Sequence, residues 1–233
     1  MERKRKTQEE RVLTLSLGDK YLVQAVKAEA QGRNALGLWA TAAKYYRQEE
    51  DYLMAGYCSE RAGEMNTNPS LAGNNFWIAG KNYEKAGQYE RAGYCFERAG
   101  FLQEQLQNLR SAERAYENAG YMYYHSQDYL RSAQVNERLA EIRFKMKDLR
   151  GAKGALYRSS KSYMLAGEYL LAGTVSMRIA RLEEAEDRKE QARRVVVQAI
   201  RYFRRVEARE KERMAVQYLN QLETEKKESK EGV

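Results

Sequence analysis

A tyrosine recurs at Tyr46, Tyr83, Tyr123 and Tyr163, and each is followed six residues later by another, at Tyr52, Tyr89, Tyr129 and Tyr169. The first members are 37, 40 and 40 residues apart. That is room for two helices and their turns but too little for a self-sufficient domain, so each unit must bury its apolar face against its neighbours. A stack of this kind offers extended surfaces to a partner more readily than a closed catalytic pocket.

The positions around the tyrosines repeat as well. Trp39, Ala42, Ala43 and Tyr46 precede Tyr52, Ala55, Ser59 and Ala62; Phe76, Ala79, Gly80 and Tyr83 precede Tyr89, Ala92, Phe96 and Ala99. The third block runs Tyr116, Ala119, Gly120, Tyr123, Tyr129, Ser132, Asn136, Leu139, and the fourth Leu156, Ser159, Ser160, Tyr163, Tyr169, Ala172, Ser176, Ile179. A fifth survives in part as Val196, Ala199, Ile200 and Phe203, with Val216 and Leu219 in its second half. Offsets of three, four and seven put these residues on one side of a helix, so the two halves of each block can meet as an antiparallel hairpin. A glycine inside a helix costs roughly 1 kcal/mol relative to alanine. Gly80 and Gly120 are therefore expected to sit opposite bulky rings, where the helices approach closely.

A large aromatic, two small residues, a tyrosine, and a second helix with alanine, an aromatic and alanine together resemble the tetratricopeptide repeat family. Phe76 to Ala99 follows the pattern almost throughout, and Trp39 to Ala62 nearly as well. The proline that often closes such a unit is absent. The units are longer than the family's roughly 34 residues, with the excess after Ala62, Ala99, Leu139 and Ile179, where the second helix is expected to run on for a turn. Longer units of this kind are similar to the soluble NSF attachment proteins. The resemblance implies an all-α fold, a right-handed α-α superhelix of about five helical hairpins behind an N-terminal capping helix. The expected organisation is a loosely ordered segment over 1–17, a capping helix over 18–34 begun by Asp19, and four repeat pairs over 35–183. A charged fifth pair over 184–224 would act as the C-terminal cap, with a disordered tail over 225–233.

Composition supports a helical reading and narrows the chemistry. Pro69 is the single proline and marks a loop at 66–70. No apolar run approaches the roughly 18 residues that span a bilayer. The basic start, Met1 to Lys6, leads into no apolar stretch, so a cytoplasmic protein is expected. Cys58 and Cys95 occupy equivalent places in successive repeats and read as core residues, not as a disulfide or metal pair. His125 is the only histidine, which removes the usual nucleophile–base pairings and multi-histidine metal sites. Glu183 and Asp187 read as part of a solvated, salt-bridged face. Gly151 and Gly154 lack the rest of a phosphate-binding loop and read as a helix start. Neither catalysis, nor a cofactor, nor a metal is expected.

What remains is the surface. In the resembled family the first helix of each pair lines the concave face, which implies Lys44, Arg47, Asn74, Trp77, Lys81, Arg114, Asn118, Tyr121, Tyr124, Arg158, Lys161, Arg194, Arg201 and Arg204 as partner-binding residues here. Packing against the next unit is the competing role for Trp77, Tyr121 and Tyr124. With Arg205 the set holds ten basic residues, and only Glu84 and Glu117 oppose them. The whole chain has 41 basic and 33 acidic residues, net +8. A basic concave groove attracts an acidic peptide, helix or protein surface. Two other readings stay open: a nucleic-acid-binding helical repeat protein, and an attachment-protein-like cofactor acting on a helical-bundle complex, which lacks the acidic, leucine-containing tail such a protein would use.

Overall fold

The computed structural model describes residues 15–231, which form eleven helices and, among the described residues, no strand. They are α1 (Leu17–Ala30), α2 (Leu36–Gln48), α3 (Tyr52–Met65), α4 (Pro69–Lys85), α5 (Tyr89–Gln105), α6 (Leu109–His125), α7 (Tyr129–Lys145), α8 (Leu149–Leu165), α9 (Tyr169–Ala185), α10 (Lys189–Arg205) and α11 (Arg209–Glu231). Five hairpins and a leading helix account for all eleven. The helices belong to two compact units divided after Leu106, one holding α1–α5 and the other α6–α11. Within each unit every helix packs on the next.

The paired tyrosines now have a structural meaning. The second of each pair, Tyr52, Tyr89, Tyr129 or Tyr169, is the first residue of the second helix of its hairpin. The first lies in the last turn of the helix before. Between them the chain turns through one left-handed residue: Glu50, Gly87, Gln127 and Gly167 have φ of 61°, 71°, 64° and 81°. The turns between hairpins do the same, at Gln107, Lys147 and Asp187. In this motif an amide beyond the helix end reaches back five residues. Gln88, Glu168 and Ala208 donate in this way to the carbonyls of Tyr83, Tyr163 and Phe203, each at 2.9 Å.

From Gly87 onward a left-handed residue falls every twentieth position, through Gln107, Gln127, Lys147, Gly167 and Asp187 to Glu207. A 17-residue helix plus a three-residue turn is thus the true period, and a hairpin takes forty. The first tyrosine step is shorter because α3 stops at Met65, without the extra turn expected after Ala62. Asn66 and Asn68 are extended there, Asn68 accepts the amides of Ser70 and Leu71, and Pro69 opens α4. Proline is tolerated at this first helical position and ends what precedes it.

At the amino end, the cap of α1 is Ser16, and Asp19 is the third helical residue. The sequence suggested Asp19 as the cap. The two form a reciprocal capping box: the Asp19 amide donates to Ser16 Oγ at 3.1 Å and the Ser16 amide to Asp19 Oδ2 at 3.2 Å. Residues 1–14 of the expected loose segment lie outside the described residues. At the other end α11 continues to Glu231, through most of the stretch read as a tail.

Packing within hairpins rests on matched volumes. A Cβ added to Gly80 would lie 2.8 Å from the Phe96 ring, so the glycine is what lets α4 and α5 close on that ring. Gly120 occupies the same place in the next hairpin, but a Cβ there would meet the Asn136 amide nitrogen at 2.9 Å, not a ring. In the fourth hairpin the facing pair is Ser160 and Ser176, with hydroxyls 2.9 Å apart. Cys58 and Cys95 are free and fully buried. Burial pushes the Cys58 thiol up to about 12, and Cys95 also rises. Gly80→Ala is therefore expected to destabilise the protein by about 1–3 kcal/mol through overpacking. In a Phe96→Ala background the same change should become neutral or stabilising by up to about 1 kcal/mol, as helix propensity then dominates. A double-mutant cycle by chemical denaturation measures the change of sign.

Candidate interaction faces

Three buried tyrosines of the first helices, Tyr46, Tyr83 and Tyr163, share one arrangement. Each ring packs on the preceding helix and its hydroxyl donates to a carboxylate there. Tyr46 reaches Asp19, Tyr83 reaches Glu60 and Tyr163 reaches Glu137, all at 2.7 Å. Added Cβ atoms on Gly18 and Gly56 would lie 2.7 Å from the Tyr46 and Tyr83 rings. Burial and the carboxylate partner together raise the pKa of all three phenols. In return, the Tyr46 hydroxyl lowers the pKa of Asp19.

In the amino-terminal unit, α2 and α4 wall a small groove of about 130 Å³ floored by Ser59 and Ala62 of α3. Lys44 and Arg47 line it and are exposed. Beside them stand Asn75 and Ile78, one residue along from the predicted Asn74 and Trp77. One position along a helix is about 100° of rotation, which the repeat pattern does not fix. Trp77 is half-buried edge-on against Phe96, centroids 5.1 Å apart. Lys81 Nζ lies 5.7 Å from the Trp77 ring and 2.9 Å from Glu84.

In the carboxy-terminal unit the first helices are α6, α8 and α10. Tyr121 is 58 % exposed, contrary to the packing role open to it, and its ring meets His125 at 4.2 Å. Tyr124 is partly buried against Tyr129 at 5.4 Å, with Lys161 Nζ 5.6 Å from its ring. Asn118 turns back to the Arg114 carbonyl at 2.7 Å. Arg158 reaches Asn136 at 3.0 Å and stands 3.7 Å from Glu117, so it braces the helices as well as facing solvent. Arg194 and Arg201 line a groove of about 610 Å³ between α10 and α11. Arg204 pairs with Glu212 at 2.8 Å.

One ionic cluster escaped sequence reasoning. Glu183 is only 3 % exposed, not solvated. Lys153 of α8, itself 7 % exposed, reaches it at 3.0 Å, and Arg188 reaches it at 2.6 Å. The Tyr157 hydroxyl adds a further donor at 3.1 Å. Lys153 falls between Gly151 and Gly154, the third and sixth residues of α8, whose start is capped by Asp148 bonding the Gly151 amide at 2.9 Å. The signal was a basic residue in the register of buried positions thirty residues before an acidic one.

Among the described residues no group of three or more histidine, cysteine, aspartate or glutamate side chains is placed to hold a metal. No described helix is long and apolar enough to cross a membrane. No protein-family model matches the chain, and no curated protein matches it. Solved structures do. The chain is similar to nearly identical TPR-like repeats from Podosopora anserina, at 11 % identity and TM-score 0.40 over 82 % of this chain and 96 % of that one. It is similar to BtubC (BKLC) from P. vanneervenii, at 14 % identity and TM-score 0.38 over 82 % and 89 %. It is also similar to the TPR2AB domain of yeast Sti1, solved as a complex with pHSP90, at 14 % identity and TM-score 0.32 over 89 % and 98 %.

These contacts generate two expected outcomes. Asp19 has a depressed pKa in the folded state, so its bond to Tyr46 stabilises above the unfolded value near 4 and is lost as pH falls through the folded value. Tyr46→Phe should cost about 1 kcal/mol at pH 7, at the low end for a charged acceptor because Asp19 is partly exposed. The difference from wild type should shrink in acid denaturation profiles as pH falls through the depressed folded-state pKa of Asp19. Lys153→Met should cost about 1–3 kcal/mol by removing the buried cation beside Glu183, which then keeps only Arg188 and the Tyr157 hydroxyl, and adding Glu183→Leu should recover part of the loss; thermal unfolding of both variants measures this.

Proposed function

We propose that the chain is a non-enzymatic scaffold that binds an acidic peptide, helix or protein surface on the faces of its first helices. The supporting observation is the sign of the exposed charge. On α6, α8 and α10 the exposed charged residues are Arg110, Arg114, Arg150, Arg158, Lys161, Arg194, Arg201, Arg204 and Arg205 against Glu117 and Glu190. On α2 and α4 they are Lys44, Arg47 and Lys85, with no exposed acid. Exposed cations with few exposed acids beside them on these helices, other acids being taken up in latches and ion pairs, create a local field that the net charge understates. Exposed Tyr121 supplies a rigid amphipathic anchor beside it. The free buried thiols fit a reducing compartment, and the cytoplasm is the proposed location.

The test is a charge reversal that leaves the fold alone. Arg114→Glu, Lys161→Glu and Arg201→Glu combined should lower affinity for a labelled glutamate-rich peptide at least tenfold in fluorescence anisotropy, with helicity unchanged by circular dichroism. Undiminished binding defeats the proposal. Stronger binding of an arbitrary oligonucleotide than of the peptide, falling steeply with salt, would transfer these faces to nucleic acid.

A further inference from the structure

The last hairpin breaks the tyrosine–carboxylate rule, and it leaves an opening where it does. In α7–α9 the Glu137 carboxylate ties three helices together, accepting from Tyr163 of α8 at 2.7 Å and pairing with Arg178 of α9 at 3.0 Å. Forty residues on, the same three stations are Met177, Phe203 and Tyr218. Phe203 keeps the ring contact, since a Cβ on Gly173 would lie 2.6 Å from it. It has no hydroxyl, Met177 has no carboxylate, and Tyr218 donates to Glu184 instead. At this place, where no tyrosine–carboxylate latch is made, α9 and α11 flank a groove of about 510 Å³ lined by all three residues. This is within the roughly 300–1,000 Å³ of ordinary ligand clefts.

The lining is apolar at depth and cationic at the mouth. Phe203 and Ala215 are buried in its floor, and Met214, 56 % exposed, stands at its entrance. Arg181 and Lys211 are exposed at the rim, where Glu210 is the one acidic residue. From Thr174 to Arg181 the groove follows two turns of α9, roughly 10 Å. We propose that this groove docks a short acidic amphipathic helix, which inserts two leucine- or methionine-like side chains one turn apart against Met177 and Phe203 and meets Arg181 and Lys211 with carboxylates. Helix-in-groove recognition reads anchors at such spacing. Unbranched methionine adapts to them. The groove runs between the second helices α9 and α11 over Phe203 of α10, and its rim residues are not those of the first-helix faces above.

The test uses the whole chain and a labelled glutamate–alanine helix carrying two leucines four residues apart. It should bind, and the same peptide with serines for leucines should bind at least tenfold more weakly. M177E with F203Y rebuilds the interior latch, so this variant should bind at least tenfold more weakly while unfolding at an unchanged or higher temperature. Met214→Asp, at an exposed position that does not threaten the fold, should weaken binding similarly if the rebuilt latch fails to fold. Lys161→Glu with Arg201→Glu should bind the leucine peptide within twofold of wild type. Absence of binding to wild type, equal binding of the serine peptide, undiminished binding after Met214→Asp or after latch repair, or a loss confined to the Lys161/Arg201 variant each overturns the proposal.

Discussion

Everything in this molecule depends on an aromatic ring being able to reach the backbone of the helix before it. Tyr46 on Gly18, Tyr83 on Gly56 and Phe203 on Gly173 each occupy space that a side chain on the partner residue would fill. Dispersion and burial drive the contact, but neither has direction. The direction comes from the hydroxyl, which must find a partner once the ring is buried. A carboxylate on the preceding helix supplies it, so a single residue fixes both how closely two helices pack and which rotation they take. Within hairpins the same economy of volume operates through Gly80 with Phe96 and Ser160 with Ser176.

The turns enforce the register that those contacts need. A left-handed residue every twenty positions from Gly87 to Glu207 gives each helix the same length, so the ring of each arrives at the same height. Most of these positions carry no glycine, and Gln107, Gln127, Lys147, Asp187 and Glu207 hold a conformation that costs an ordinary residue about 1–2 kcal/mol. Back-reaching amide bonds, as from Asp148, Arg188 and Ala208 to the carbonyls of Arg143, Glu183 and Phe203, offset that cost. Where a proline and two asparagines replace the turn, at 66–69, α3 shortens and the repeat loses its even spacing.

Charge distribution obeys the same geometry. Acidic residues on second helices accept the latch hydroxyls or pair across to neighbours, as Glu137 and Glu183 do, and so contribute little to the outer field. The arginines and lysines of first helices have fewer such duties and face outward. Even there the division is incomplete, since Arg158 also bonds Asn136 and Lys153 pairs with Glu183 at 3.0 Å. In the last hairpin, where Met177 and Phe203 cannot form the latch, an apolar groove lies between the second helices.

The sequence by itself determined the periodicity, the helical class and the residues that meet inside a hairpin, because these depend on local spacing and on the identity of a few bulky and small residues. Phe96 and Gly80 could be read that way without coordinates. It did not determine which way a surface side chain turns: Asn75 and Ile78 line a groove assigned to their neighbours, and Tyr121 is exposed where packing was open to it. Nor did it reveal that Glu183 is buried beside Lys153, or that Met177 and Phe203 vacate a latch. Those facts require two helices thirty or forty residues apart to be brought together at a particular rotation. Rotation is settled by packing over the whole contact, which no single stretch of chain encodes.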